Sequence, residues 1–157
     1  QPLVVMAHLA AGVYLSMLGR LEESGAILEK GLALALDKEV IYAEAIIRCE
    51  YGKQLALLNK TQEAKKQLDI ALNLSRHYRM VYIEARTLFE MAIIDISEKN
   101  HESEKLLREA LHLTEITNNS QHLQIHILNE LFPLLSENER IKWNTKLTEL
   151  DVLDLQK

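Results

Sequence analysis

The chain is expected to be all-α, an α-α superhelix of about four helix pairs. Three observations predict it. The composition favours Leu, Glu, Ala, Ile and Lys over Gly and Pro, of which there are five and two in 157 residues; this suits helices and leaves little material for hairpins or a glycine-rich phosphate loop. Short residue groups recur in fixed order at a step of forty residues. Within each unit, apolar residues return every three or four positions, the period of a helix with one buried face.

The first pair is placed at about 3–36, with Gly12 in mid-helix, a turn at Gly19-Arg20, and a second helix carrying Glu23-Ser24, Leu28 and Gly31-Leu32-Ala33-Leu34. The second, at 40–76, opens with a helix from Val40 to Leu58 whose stripe is Ile41, Ala45, Cys49 and Gly52. Its turn is Asn59-Lys60-Thr61, and the Thr61 hydroxyl is expected to accept a bond from a free first-turn N–H. The following helix runs to about Leu74 and places Ala64, Leu68, Ala71 and Leu72 on one face. In the third pair, at 80–116, Tyr82-Ile83-Glu84-Ala85 repeats Tyr42-Ala43-Glu44-Ala45, and Glu90-Met91-Ala92 repeats Glu50-Tyr51-Gly52. A turn at Glu98-Lys99-Asn100 precedes Glu102-Ser103, Leu107 and Ala110-Leu111-His112-Leu113, which fall thirty-nine residues after their counterparts, so one residue is lost near this turn. A degenerate fourth pair or cap is placed at 120–155. Its first helix, Gln121 to Leu135, is expected to kink at Pro133. Its second, from about Glu139 to Leu155, has Trp143, Leu147 and Leu150 on one side and charges elsewhere.

Small residues explain why such helices pair. Glycine inside a helix is less favourable than alanine by about 1 kcal/mol, tolerable where a neighbour must come close. Gly12, Gly52 and Ala92 occupy one register, with Ser24, Ala64 and Ser103 as matching clearance and Leu28, Leu68 and Leu107 filling the space beside it. A single hairpin cannot bury its apolar face alone, so pairs stack into a solenoid.

These residues resemble the tetratricopeptide repeat. The second unit fits best, through Tyr51-Gly52, Leu55, Asn59, Glu63-Ala64, Leu68 and Ala71-Leu72-Asn73-Leu74. The first substitutes Ser24 and Gly31 for alanines, the third uses Met91-Ala92 and Ser103, and none has the family's proline after the second helix. The likeness covers roughly residues 5–115, and its forty-residue spacing exceeds the usual thirty-four. It resembles the longer subclass of bacterial signalling and transcription regulators and of some scaffold proteins. The resemblance implies a regulatory, sensor or interaction domain that binds a protein or peptide segment, or a structural scaffold or homo-oligomerisation domain. Gln1 in place of Met, with Leu3 already in a helical pattern, suggests a part excised from a longer protein.

A net charge of −5, with both signs interleaved, argues against a polyanion-binding surface, so no nucleic acid is expected as a partner. No apolar run approaches the ~20 residues of a membrane span, and no charged leader opens the chain. One cysteine, Cys49, excludes an internal disulfide and suits the cytoplasm; three Asn-x-Ser/Thr triplets, at Asn59, Asn73 and Asn118, read as chance. His122, His126 and Glu130 form one row on a helix, but zinc needs ligands converging from elsewhere too, and no metal or other cofactor is expected. Cys49 sits on an apolar stripe, where a cysteine acts as a small hydrophobe. No nucleophile elbow, Walker loop or dinucleotide fingerprint occurs, so the chain is not expected to be an enzyme.

In tetratricopeptide proteins the first helix of each pair lines the concave face. The resemblance therefore implies a partner surface at Met6, Leu9, Val13 and Met17, at Ile46, Cys49, Lys53 and Leu57, and at Arg86, Phe89, Ile93 and Ile96. The set is mostly apolar, with Lys53 and Arg86 as isolated cations, which lacks the basic array of a carboxylate clamp. Such a surface suits an amphipathic helix or an apolar peptide; the plainer alternative is that these residues are core between successive helices.

Overall fold

The computed structural model describes residues 2–117 and 120–154, with side chains through Thr148. Eight α-helices follow one another among these residues: α1 (Pro2–Met17), α2 (Leu21–Asp37), α3 (Ile41–Leu57), α4 (Thr61–His77), α5 (Val81–Ser97), α6 (Ser103–Glu115), α7 (Gln121–Leu131) and α8 (Glu137–Asp154). The helices joined by short turns from α1 to α7 are antiparallel neighbours that pack in sequence, α1 on α2, α2 on α3 and so on, and the first helices also touch, α1 with α3 and α3 with α5. This is the all-α superhelical arrangement of about four pairs that the repeat predicts.

The length of the unit is set at the turns. Residues with positive φ recur every twenty positions, at Gly19 (+73°), Glu39 (+52°), Asn59 (+60°), Arg79 (+55°) and Lys99 (+58°). At each, the next backbone N–H reaches back to a carbonyl in the last helical turn: Arg20 to Leu15 at 2.9 Å, Val40 to Ala35 at 2.9 Å, Lys60 to Leu55 at 2.8 Å, Met80 to Ser75 at 2.8 Å and Asn100 to Asp95 at 2.8 Å. This is the Schellman arrangement, which satisfies carbonyls the helix leaves free. Between turns, α2, α3, α4 and α5 are each 17 residues long. The forty-residue repeat is therefore two twenty-residue half-units closed by the same device.

Four expectations need correction. Thr61 is the first helical residue of α4, Lys60 holds the cap position, and no side chain caps it; the preceding Schellman turn already fixes the chain's entry. Helix α4 runs to His77, three residues beyond the expected Leu74. Pro133 ends α7 instead of kinking it: the helix stops at Leu131, and Phe132–Leu134 form a 3-10 turn. The Arg140 guanidinium then donates to the carbonyls of Phe132 (3.2 Å) and Pro133 (3.1 Å). Helix α8 starts two residues earlier than expected, behind Ser136, whose backbone N–H donates to the Glu139 carboxylate at 2.9 Å in a capping box. Trp143 is buried and Leu147 packs against the same cluster, whereas Leu150 and Leu155 lie outside the described side chains.

The small residues act as expected in the first two pairs. A Cβ on Gly12 would lie 2.6 Å from Leu28, and one on Gly52 would lie 2.8 Å from Leu68. Both leucines are fully buried, and the Ser24 hydroxyl donates to the Gly12 carbonyl at 2.7 Å. In the third pair the turn is longer, α6 begins only at Ser103, and Ser103 is half-buried beside it. Leu107 arrives one residue early in the repeat and packs with Ala92, whose side chain is fully buried. The lost residue and the added methyl thus occur in the same pair.

Candidate functional site

The described residues enclose a groove of about 570 Å³ between α3, α5 and α7. From α3 come Lys53, Ala56 and Leu57; from α5, the row Tyr82, Arg86, Phe89, Glu90 and Ile93, with Ile94 and Ser97; from α7, His122, Leu123 and His126. The spacing on α5 is the helical i, i+4, i+7, i+8 pattern, so one stripe of that helix forms the floor. All three elements are first helices of their pairs, because second helices cover their opposite faces.

Of the twelve residues expected at the partner surface, Lys53, Leu57, Arg86, Phe89 and Ile93 meet in this groove. Met6 and Met17 are exposed on α1 away from it, Val13 and Ile46 are half-buried against the core of Val5, Leu28, Leu32 and Ile47, and Ile96 is exposed outside the lining. Leu9 and Cys49 are core side chains and present no surface to a partner. Helix phase explains this: Leu9 turns into the cluster of Leu28, Leu32, Ala43 and Ile47, and Cys49 turns toward Thr87 of α5, each away from open surface.

Tyr82, Glu90, His122 and His126 were not among the expected residues. The two histidines share a face, as their spacing indicated, but that face walls the groove, and the His126 ring lies 6.4 Å from Phe89. Glu130 is absent from the lining, and among the described residues no three His, Cys, Asp or Glu side chains converge in a way that could hold a metal.

The electrostatics centre on two glutamates one repeat apart. Glu50, on α3, is 3% exposed and pairs with the Arg86 guanidinium of α5. Arg86 is therefore a bridge between first helices and not the isolated cation the sequence suggests. Burial draws its pKa down, but Glu50, with Cys49 and Glu90, outweighs this and leaves it raised. Glu90, on α5, is 9% exposed and has no ion-pair partner among the described residues. Burial raises its pKa, Lys53 and Arg86 oppose that, and Glu50 adds to it. Cys49 lies behind this pair, 1% exposed; burial, then the nearby Glu90, pushes its thiol up to about 12, so it is held as the unreactive neutral form.

No protein-family model, curated protein or solved structure matches the chain. Among the described residues, no helix is long and apolar enough to cross a membrane.

Proposed function

We propose that the chain is a tetratricopeptide-type module that binds a peptide or partner segment in the groove between α3, α5 and α7, as the regulatory, sensor or interaction domain of a bacterial signalling or transcription protein. The observation that carries this reading is the groove itself: a concave space with apolar walls at Leu57, Phe89 and Ile93 and a few polar groups at fixed places. That combination is typical of ligand sites, and its length along the helices suits an extended or helical segment. The link to signalling rests on the repeat's resemblance alone, and function follows sites more than folds.

The test is a peptide panel read by thermal shift against the native chain, Leu57→Glu and Phe89→Ala. Leu57 is half-exposed, so its substitution alters the groove without opening the core. Peptide-dependent stabilisation lost in both variants supports the reading. Stabilisation that survives both places the ligand elsewhere and overturns it. Arg86→Ala is unsuitable as a probe, since it would strand Glu50 without its partner.

A second reading, a scaffold or homo-oligomerisation domain, is favoured by α1. Residues 2–18 contain no Asp, Glu, Lys or Arg, and Leu3 and Met17 are 83% and 80% exposed. In the repeat register Leu3, Ala7 and Ala11 match Ala43, Ile47 and Tyr51, a face that α2 covers on α3, where Gly31 and Gly25 approach Ile47 and Tyr51. A second copy laid on this face would meet no charge, and an isologous pairing would bury the same residues on both chains. Sedimentation over a concentration series decides: a dimer dissociated by Ala7→Glu supports this reading, and a monomer throughout rejects it.

A further inference from the structure

The forty-residue repeat relates the two buried glutamates and also the residues that face them. Glu50 meets residue 86 of the next first helix, and the same step carries this pair to Glu90 and residue 126. Residue 86 is arginine and neutralises Glu50. Residue 126 is histidine, exposed at the groove wall beside Phe89, and makes no ion pair with Glu90 among the described residues. The fold thus builds the same acidic position twice and fills it with a guanidinium once. At the second, a carboxylate more than nine-tenths buried opens into the groove without a partner.

We infer that the segment bound in the groove carries a basic side chain, flanked by apolar residues, whose cation takes at Glu90 the place that Arg86 takes at Glu50. This deepens the groove-binding reading and rests on it. The other groups facing Glu90 leave room for such a charge. Lys53 and Glu50 stand on α3, Arg86 on α5 and His122 and His126 on α7. Arg86 is committed to Glu50, and Lys53 forms no ion pair within 4 Å of Glu90. A buried carboxylate without a counter-charge is unfavourable, and a charge-assisted hydrogen bond in such a place is among the stronger polar contacts. The apolar flanks follow from Leu57, Phe89 and Ile93. Because burial raises the pKa of Glu90, an arriving cation also favours loss of its proton, so binding strengthens as rising pH removes that proton.

The experiment uses two helical peptides of leucine and alanine, one with a central arginine and the other with norleucine in its place. Both are titrated against the native chain, Glu90→Gln and His126→Arg. The arginine peptide should bind the native chain about ten- to a hundred-fold more tightly than its twin. Glu90→Gln should erase that preference without abolishing binding of the norleucine peptide. His126→Arg should supply the missing guanidinium from within, raising the melting temperature and excluding the arginine peptide. Equal binding of both peptides to the native chain sinks the inference and leaves the groove reading standing. Failure of both peptides to bind removes both readings, and a His126→Arg chain no more stable than the native one refutes the equivalence with Arg86.

Discussion

Glycine to alanine exchanges at two helical positions should change stability in opposite directions. At Gly25 the nearest foreign atom to a new Cβ is Cε2 of Tyr51 at 3.9 Å, an ordinary contact. Gly25→Ala in the second turn of α2 should therefore gain helix propensity and lose unfolded-state freedom, stabilising by about 0.5–1 kcal/mol. At Gly52 the same methyl meets Leu68 Cγ at 2.8 Å, Cδ2 at 2.9 Å and the Ala64 carbonyl oxygen at 3.3 Å. Leu68 is fully buried and the carbonyl is backbone, so neither can swing away. Overpacking of this kind costs about 1–3 kcal/mol, against which the propensity gain of about 1 kcal/mol is the smaller term. Gly52→Ala should lose about 1 kcal/mol net, lowering the melting midpoint by roughly 2–4 °C, while Gly25→Ala raises it. Trimming the obstruction with Leu68→Val in the Gly52→Ala background should cost less than Leu68→Val alone, a coupling that thermal and urea melts followed by circular dichroism would reveal. If Gly52→Ala stabilises as much as Gly25→Ala, the account of close helix approach is wrong.

Arg79 holds a left-handed conformation that glycine adopts freely, so Arg79→Gly should stabilise by roughly 0.5–1 kcal/mol in a urea melt, whereas Gly19→Ala should destabilise by a similar amount. The Cys49 thiol, buried and held at about 12, should resist alkylation at pH 8 in the folded chain and react at once in denaturant, as mass spectrometry would show. Breaking the Glu50–Arg86 pair with Arg86→Ala should destabilise by about 3–5 kcal/mol, and Arg86→Ala with Glu50→Gln by less, because the double change leaves no charge stranded. Hydrogen bonds from Arg108 and then Ser136 hold Glu139 at about 2, below its ordinary 4.5. Its contribution is present above 4.5 and fades as pH falls toward 2, so Glu139→Gln should flatten the acid side of a stability profile between those values.

The residues that made the fold legible are those whose job is local or repeats unchanged. Gly12, Gly52, Leu28 and Leu68 announce a close helix contact, because no other arrangement excuses glycine in the middle of a helix. The turns were only partly legible. Gly19 and Asn59 carry the left-handed signal, but Glu39, Arg79 and Lys99 adopt the same φ with side chains that rarely do so. There the tertiary pairing of helices overrides local preference, and the twenty-residue half-period stays hidden. The capping box of Ser136 and Glu139 could have been read from its spacing. The site was harder. Stripe assignment misses by one position whenever a helix is buried on two sides, which is why Leu9 and Cys49 fall in the core while Tyr82 and Glu90 line the groove. The roles of His122 and His126 depend on where α7 lies against α5, a distance no residue spacing within α7 contains.

The placement of charge follows from the same repetition. A first helix in this array is covered by second helices on two sides, and its charged residues pair within the helix, as Glu44 with Arg48, with a second helix, as Glu84 with Arg76, or along the inner surface with another first helix. Glu50 does so across to Arg86. A stack of identical repeats would continue the ladder indefinitely, and its inner surface would be saturated and unreceptive. This chain makes one such rung and leaves the next open, where His126 stands in the register of Arg86 and α7 is cut short by Phe132–Leu134. The interruption coincides with the groove, lined by Glu90, which has no ion-pair partner among the described residues, and by Phe89 and Ile93. Where the repeat is most regular it consumes its polar groups in holding itself together. Where it degenerates, the same groups are left facing open space, which is why the proposed site is placed there.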